Sequence, residues 1–310
     1  MKKIISAFFG LLAVSMIFTA CVTAPGQDAY RPPSAGISYD REGFPITLPD
    51  EINTIISIGP SNTEILVALG FGDKIIVTDA FSDNVEGIAY GISVLDMMAL
   101  DAEFIINAQP DIIFVTGMTR VGGEDPLSLV SNVGISVIYM PHGTSLEDII
   151  EDIRFIAAVM GAEAAGEDII ANMQAEIDEI RRIGETISTR RTVYFEISPA
   201  PWMVSFGSGT FLNEMIEIVG AENVFGEQEG WISVSDEVIL TLNPDVILTS
   251  VNFLDDPIAD IMNRAGFNVI TAVQNGHVFQ IDTDASNRPS HNVTRALREI
   301  AEAVFPEYFR

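Results

Sequence analysis

Short apolar, β-branched runs recur along the chain, each followed by a longer stretch with apolar positions three or four apart. TIISI (54–58), KIIVTD (74–79), DIIFVTG (111–117) and ISVIYM (135–140) mark the first half. Runs of this length, separated by helical periodicity, predict parallel βαβ units with helices on both faces of a sheet. Between the first two runs, GPSNTEILVALG holds Ser61 and Glu64 in the S-x-x-E spacing of a capping box, and Gly70 closes the helix. A second series repeats the order. RTVYFEI (191–197) reads as a strand, TFLNEMIEIVG as a helix ending at Gly220, and DVILTS (245–250) as another strand.

The repetition extends to wording. DAEFIINAQPDIIF (101–114) and SDEVILTLNPDVIL (235–248) both place a Glu third, then an apolar run, then Pro-Asp and a strand. IADIMNRAGFNVI (258–270) parallels LSLVSNVGISVIY (127–139): a helix, a glycine, one apolar residue and a short strand. Three landmarks in the same order predict two structurally equivalent lobes. Between them, TSLEDIIEDIRFIAAVMG reads as one capped helix and AEAAGEDIIANMQAEIDEIRRIGETI as a longer one. About 24 helical residues span ~36 Å, enough to brace two lobes and leave a cleft that is largely pre-formed. The fold class expected is α/β, two Rossmann-like lobes with mostly parallel sheets joined by one long helix. The expected boundaries are an N-terminal lobe over 50–143, a helical connector over 144–189 and a C-terminal lobe over 190–310.

Ahead of the body lies a different pattern. Lys2 and Lys3 precede an apolar run from Ile4 to Ala20, the order of an export signal, expected to occupy 1–20. Cys21, the single cysteine, follows directly and has no partner for an internal disulfide. Its setting behind Phe18-Thr19-Ala20 looks like a bacterial lipobox, with Phe18 where Leu is usual. An uncleaved anchor, or a cut elsewhere with Cys21 incidental, is the alternative. Residues 21–49, rich in Pro, Gly, Ser and Asp, read as a lipidated tether. The expected location is therefore the outer face of the cytoplasmic membrane or the periplasm.

Composition narrows the function. The chain has 310 residues, 48% of them hydrophobic, with 44 acids against 16 bases and a formal charge of −28. Such a balance argues against nucleic acid, since little here neutralises phosphates, and against adhesion to an anionic membrane surface. Dinucleotide chemistry is also unsupported: Gly70-Phe71-Gly72 meets Ile75, and Gly207-Ser208-Gly209 meets Leu212, where the fingerprint needs glycine. Lys74 is the sole lysine beyond the leader, so there is no Walker lysine, and GSG lacks the spacing of a nucleophile elbow. Naked Zn²⁺ or Mn²⁺ needs several converging His and carboxylate ligands, whereas only His142, His277 and His291 exist; no metal site is expected.

The ordered set IISIGPSNTEILVALGFGDKIIV, LDAEFIINAQPDIIF, VSDEVILTLNPDVIL and RPSHNVTRALREIAEAVFPEYF resembles the helical-backbone periplasmic binding proteins. It is most similar to the branch that delivers iron–siderophores, haem or cobalamin to ABC importers. The resemblance runs from about Thr54 to Phe309. It implies a monomeric, non-enzymatic carrier without a cofactor that hands a ferric siderophore or corrinoid to an ABC importer permease dimer. It also implies that Glu103 and Glu237 dock against arginines of the two permease subunits. Their alternative role is local, since a carboxylate in a helix's first turn gains about 0.3–1 kcal/mol from the dipole.

Ligand is expected at the carboxyl edges of both sheets, where loops face across the cleft. Trp202, Trp231, Met203, Phe206 and Met140 offer flat or polarizable surface, while Arg120 and Arg288 offer charge. Trp231 could equally be core, and Arg120 a solvated loop residue. His142 and Tyr90 are the residues that could stand as axial ligands to a haem. A sensory or adhesive surface lipoprotein without a transporter is the alternative function, and a doubly wound enzyme a more distant one.

Overall fold

The computed structural model describes residues 36–120 and 125–309. The expected leader, Cys21 and most of the expected tether lie outside the described residues. Two parallel sheets organise the body. The first holds β1 (Ile55–Ile58), β2 (Ile75–Asp79), β3 (Ser93–Leu95), β4 (Ile112–Thr116) and β5 (Ser136–Met140), in the order β3-β2-β1-β4-β5. The second holds β6 (Thr192–Glu196), β8 (Glu222–Asn223), β10 (Val246–Thr249) and β11 (Val278–Gln280), in the order β11-β10-β6-β8. A small antiparallel pair, β7 (Val204–Phe206) with β9 (Trp231–Ser233), stands beside it. The expected α/β class with mostly parallel sheets is what forms.

Helix α1 (Pro60–Ala68) follows β1, and α3 (Ser128–Asn132), α6 (Phe211–Ile218) and α8 (Pro257–Met262) are shorter helices between later strands. Helices α4 (Leu146–Val159) and α5 (Glu163–Gly184) form an antiparallel pair, and Gly166 lets them approach: a Cβ there would meet that of Ala157 at 2.5 Å. Ser145 and Asp148 build the capping box that starts α4. The 22 residues of α5 reach about 33 Å, burying Ile170, Met173, Ile177 and Ile180 along one stripe. That stripe and α11 (Val293–Val304) join one contiguous core, which runs from Ile55 and Phe114 of the first sheet to Phe195 and Leu248 of the second. Apolar burial is thus shared across the connection rather than confined to each sheet, which makes the brace stiff.

The repeated segments form matching pieces. Helices α2 (Ala102–Ala108) and α7 (Asp236–Leu242) both end on a left-handed residue, Gln109 at φ 50° and Asn243 at φ 48°. The Pro-Asp pair that follows is a stitch. Asp111 accepts from Asn53 N, Thr54 N and Thr54 Oγ1 at 2.8, 2.8 and 3.0 Å. Asp245 accepts from Thr192 N and Thr192 Oγ1, both at 2.9 Å. Each Asp N–H donates back to the same threonine hydroxyl at 3.0 Å. Both stitches fasten the strand beginning after the helix to an inner neighbour in its sheet, β4 to β1 and β10 to β6. Lys74 lies near the first stitch, its ammonium bonded to Ile52 O at 2.5 Å and 5.7 Å from the Phe71 ring centroid.

Three local expectations are corrected. The tether does not run free to residue 49: from residue 36 the chain is folded onto the first sheet. Tyr39 bridges Pro45, and the buried Asp40 carboxylate accepts from Tyr139 N at 3.0 Å, while Ser136 Oγ donates to Thr47 O at 2.7 Å. β5 is an edge strand, and this turn covers part of its open edge. The Ser61–Glu64 capping box does not form, because α1 begins at Pro60 with Gly59 as its N-cap and no side-chain cap bond. Finally, Phe267–Val269 is a 3₁₀ turn instead of a strand. The last strand of the second sheet is β11, set after the short helix α9 (Thr271–Asn275).

Candidate functional site

A cleft of about 540 Å³ opens where loops leave the carboxyl ends of both sheets. From the first sheet come Gly59 to Asn62 after β1, Ala80 to Asn84 after β2, Thr116 and Met118 after β4, and Met140 to His142 after β5. From the second come Asn252 after β10 and Thr283 to Pro289, which include the short helix α10 (Thr283–Asn287) after β11. The first sheet reverses its strand order between β1 and β4, which is where a parallel sheet leaves a crevice at its carboxyl edge. Met97, Met118, Met140, Phe81 and three prolines supply apolar wall; Asn62, Asn84, Asn252 and Asn287 supply amides.

Glu64 explains how the two sides are held. It is buried on α1, and it accepts from Arg288 Nη1 and Asn292 Nδ2, both at 2.9 Å, and from Ser290 Oγ. These three donors precede α11 on the opposite side of the cleft. Arg288 Nη2 also donates to Phe81 O and Asn84 Oδ1 at 2.9 Å, and pairs with Asp284 at 2.9 Å. Asn84 Nδ2 completes the ring on Asp284 Oδ2 at 2.9 Å. A buried cation shared among two carboxylates, an amide and a carbonyl has its hydrogen-bonding capacity largely filled.

The floor carries another pair. Asp152 on α4 lines the cleft and binds Arg41 Nε of the N-terminal turn at 2.8 Å. Burial pushes its carboxyl up to about 6, against the lowering effect of Arg41. Desolvation holds the His142 imidazole below its ordinary pKa, keeping it neutral near pH 7. The His142 ring lies 6.5 Å from that of Trp231, which packs edge-on against Phe206 at 6.1 Å.

Of the residues expected here, Met140, His142 and Arg288 line the cleft, and the Trp231 ring lies beside that of His142 without lining it. The others are elsewhere. Met203 and Phe206 are buried: Met203 packs with Tyr194 and Phe225, and Phe206 with Phe195. Arg120 stacks 3.9 Å from the Phe44 ring centroid and 4.8 Å from that of Tyr139, under the N-terminal turn. Trp202 is 81% exposed, and neither it nor Tyr90 lines the cleft. Missed from sequence were Phe81, Met97, Met118, Asn84, Asn252, Asn287 and the Glu64 anchor. Most sit in strand-end loops that the βαβ pattern does locate; an asparagine or methionine in a loop simply carries no signal by itself.

Glu103 and Glu237 are both exposed in the first turns of α2 and α7. Since both helices end at the strand-start stitches, their first turns point toward the carboxyl edges, the cleft side. The Glu237 carboxyl is lowered by bonds from its own backbone N–H and from Ser235. Among the described residues, no group of three His, Cys, Asp or Glu is gathered to hold a metal ion.

Comparison with known proteins adds kinship. Residues 55–285 match the family model described as periplasmic binding protein. An uncharacterized ABC transporter substrate-binding lipoprotein, YvrC of Bacillus subtilis (strain 168), is 28% identical over the full length of both chains. A vitamin B12-binding protein of Vibrio parahaemolyticus is 27% identical, covering 83% of this chain and 91% of its own. Among solved structures, a possible iron-binding (periplasmic solute-binding) protein from Staphylococcus epidermidis aligns with a TM-score of 0.72 and 28% identity. That alignment covers 82% of this chain and 99% of the other.

Proposed function

Because this chain belongs to the periplasmic binding protein family, whose members carry solutes to ABC importers and are not enzymes, we propose that its cleft captures a bulky metal chelate or corrinoid. The carrier is anchored through lipid on Cys21 and delivers its cargo to a permease dimer. The observation that carries this reading is the cleft itself, a roomy, methionine- and amide-lined opening at the carboxyl edges of both sheets. The relatives' names support the ligand class, one being a vitamin B12-binding protein and another a possible iron-binding protein.

Delivery is proposed to use Glu103 and Glu237. Their support is equivalence: two exposed carboxylates on matching helices, both on the cleft side. Contacts of this kind set encounter rate and orientation and weaken with salt. The test is transport by a reconstituted importer, expressed per folded, ligand-loaded carrier. Glu103→Lys with Glu237→Lys should reduce that ratio sharply, each single variant less so, with ligand affinity preserved. A ratio unaltered in the double variant rejects the docking role and leaves both residues as helix-end charges.

A further inference from the structure

Resting on the reading of the cleft as the chelate site, we propose that it selects by charge, accepting neutral or cationic metal complexes and rejecting polyanionic ones. The cationic side of its wall is spent. Arg288 is the basic residue among the lining side chains, and it is enclosed by Glu64, Asp284, Asn84 and the Phe81 carbonyl. Arg41 reaches the floor only to pair with Asp152, and Arg120 is turned into Phe44 and Tyr139.

The anionic side is in excess. Asp83 lines the cleft, is exposed, and has no hydrogen bond or ion pair among the described residues. Together with Asp152, Asp284 and Glu64, it outnumbers the two arginines near the cleft. The neutral imidazole of His142 does not redress the balance. Beyond the cleft, the chain's formal charge of −28 repels an approaching anion and attracts a cation. The remaining surface of methionines, Phe81 and amides fits a complex with apolar faces and an amide fringe.

Chelate chemistry divides along this line. A ferric tris-hydroxamate is neutral, because each arm contributes one negative charge against the three of iron. A corrinoid with amidated side chains is neutral or cationic. A ferric tris-catecholate is trianionic, since each arm contributes two, and haem carries two propionates. Against a net excess of acid at roughly 8 Å, a trianion should be disfavoured on the order of a hundredfold at low ionic strength, and about tenfold at 0.15 M salt.

The experiment titrates the purified chain, following tryptophan fluorescence, with cyanocobalamin, a neutral ferric tris-hydroxamate, a ferric tris-catecholate and haemin at several salt concentrations. At least one neutral probe should bind. The tris-catecholate and haemin should bind at least about tenfold more weakly, with salt narrowing the gap. Asp83→Lys, at an exposed site, should improve the tris-catecholate about three- to tenfold relative to the neutral probe. Anionic probes bound as tightly as the neutral ones, or an Asp83→Lys variant with an unchanged ratio, would overturn charge selection while leaving the chelate site standing. If no probe binds, the chelate reading itself falls, and this inference falls with it.

Discussion

Glu64→Ala separates two physical roles for one carboxylate. As a capping residue, Glu64 would contribute about 1 kcal/mol to α1, and its loss would be felt by that helix alone. As the anchor described above, it accepts from Arg288 at 2.9 Å and from Ser290, both buried, and from the half-buried Asn292 at 2.9 Å. Removing it strands the fully buried Ser290 hydroxyl, at about 1–3 kcal/mol for a buried unsatisfied donor, while the half-buried Asn292 amide can turn to water. It also removes one of two carboxylates from a buried guanidinium, a kind of loss that runs to about 3–5 kcal/mol. Asp284 still faces Arg288 at 2.9 Å and tempers that cost, so the expected total is about 3–5 kcal/mol. Glu64→Gln keeps shape and one acceptor and should cost about half as much. Urea denaturation gives the single-variant costs, and a double-mutant cycle with Arg288→Ala gives the coupling, expected at about 1–3 kcal/mol. A loss near 1 kcal/mol with negligible coupling would refute the anchor.

Three other outcomes follow from the same geometry. Asp152 has its folded pKa raised to about 6 from 3.8, so its ionisation disfavours the folded state; stability should fall as pH rises from about 4 to 6, by up to about 3 kcal/mol. Asp152→Asn should flatten that slope in urea titrations at stepped pH, and an unchanged slope assigns it to other groups. Asp111→Ala and Asp245→Ala should destabilise by similar amounts, about 1–3 kcal/mol, because each breaks the same stitch; widely unequal costs in denaturation would contradict the equivalence of the two segments. Phe81→Ala should weaken whichever chelate binds by about 1–2 kcal/mol in a fluorescence titration, while Trp202→Ala leaves affinity unchanged; the reverse result would move the site off the cleft described.

Much of the fold was legible because its signals are local and repeated. Apolar β-branched runs gave the strands, and the twice-written Glu, Pro-Asp and strand became α2–β4 and α7–β10. What failed were features that depend on partners distant in sequence. Glu64 has the right spacing for a cap, yet its bonds go to residues more than two hundred positions away. Met203 and Phe206 sit in a loop-like string beside Trp202, and only the fold of β7 against β9 reveals that they point inward. The N-terminal turn reads as linker because its contacts, through Asp40 and Arg41, are with Tyr139 and Asp152. The candidate site was legible as a set of strand-end loops, whereas the choice of side chains within them was not.

Lys74 offers a practical consequence. The sequence holds three lysines, Lys2 and Lys3 ahead of the described residues and Lys74 within them, so the described body presents a single side-chain amine. It lies between α1 and β2, where the chain re-enters the first sheet at its strand starts, the pole opposite the carboxyl edges. Coupling through a lysine side chain would therefore tether the carrier to a sensor surface through that pole, with the binding mouth directed away from the support. Lys74 is half-buried and its ammonium is bonded to Ile52 O. An acidic chain that avoids lysine elsewhere has in this way acquired a built-in orientation for immobilisation.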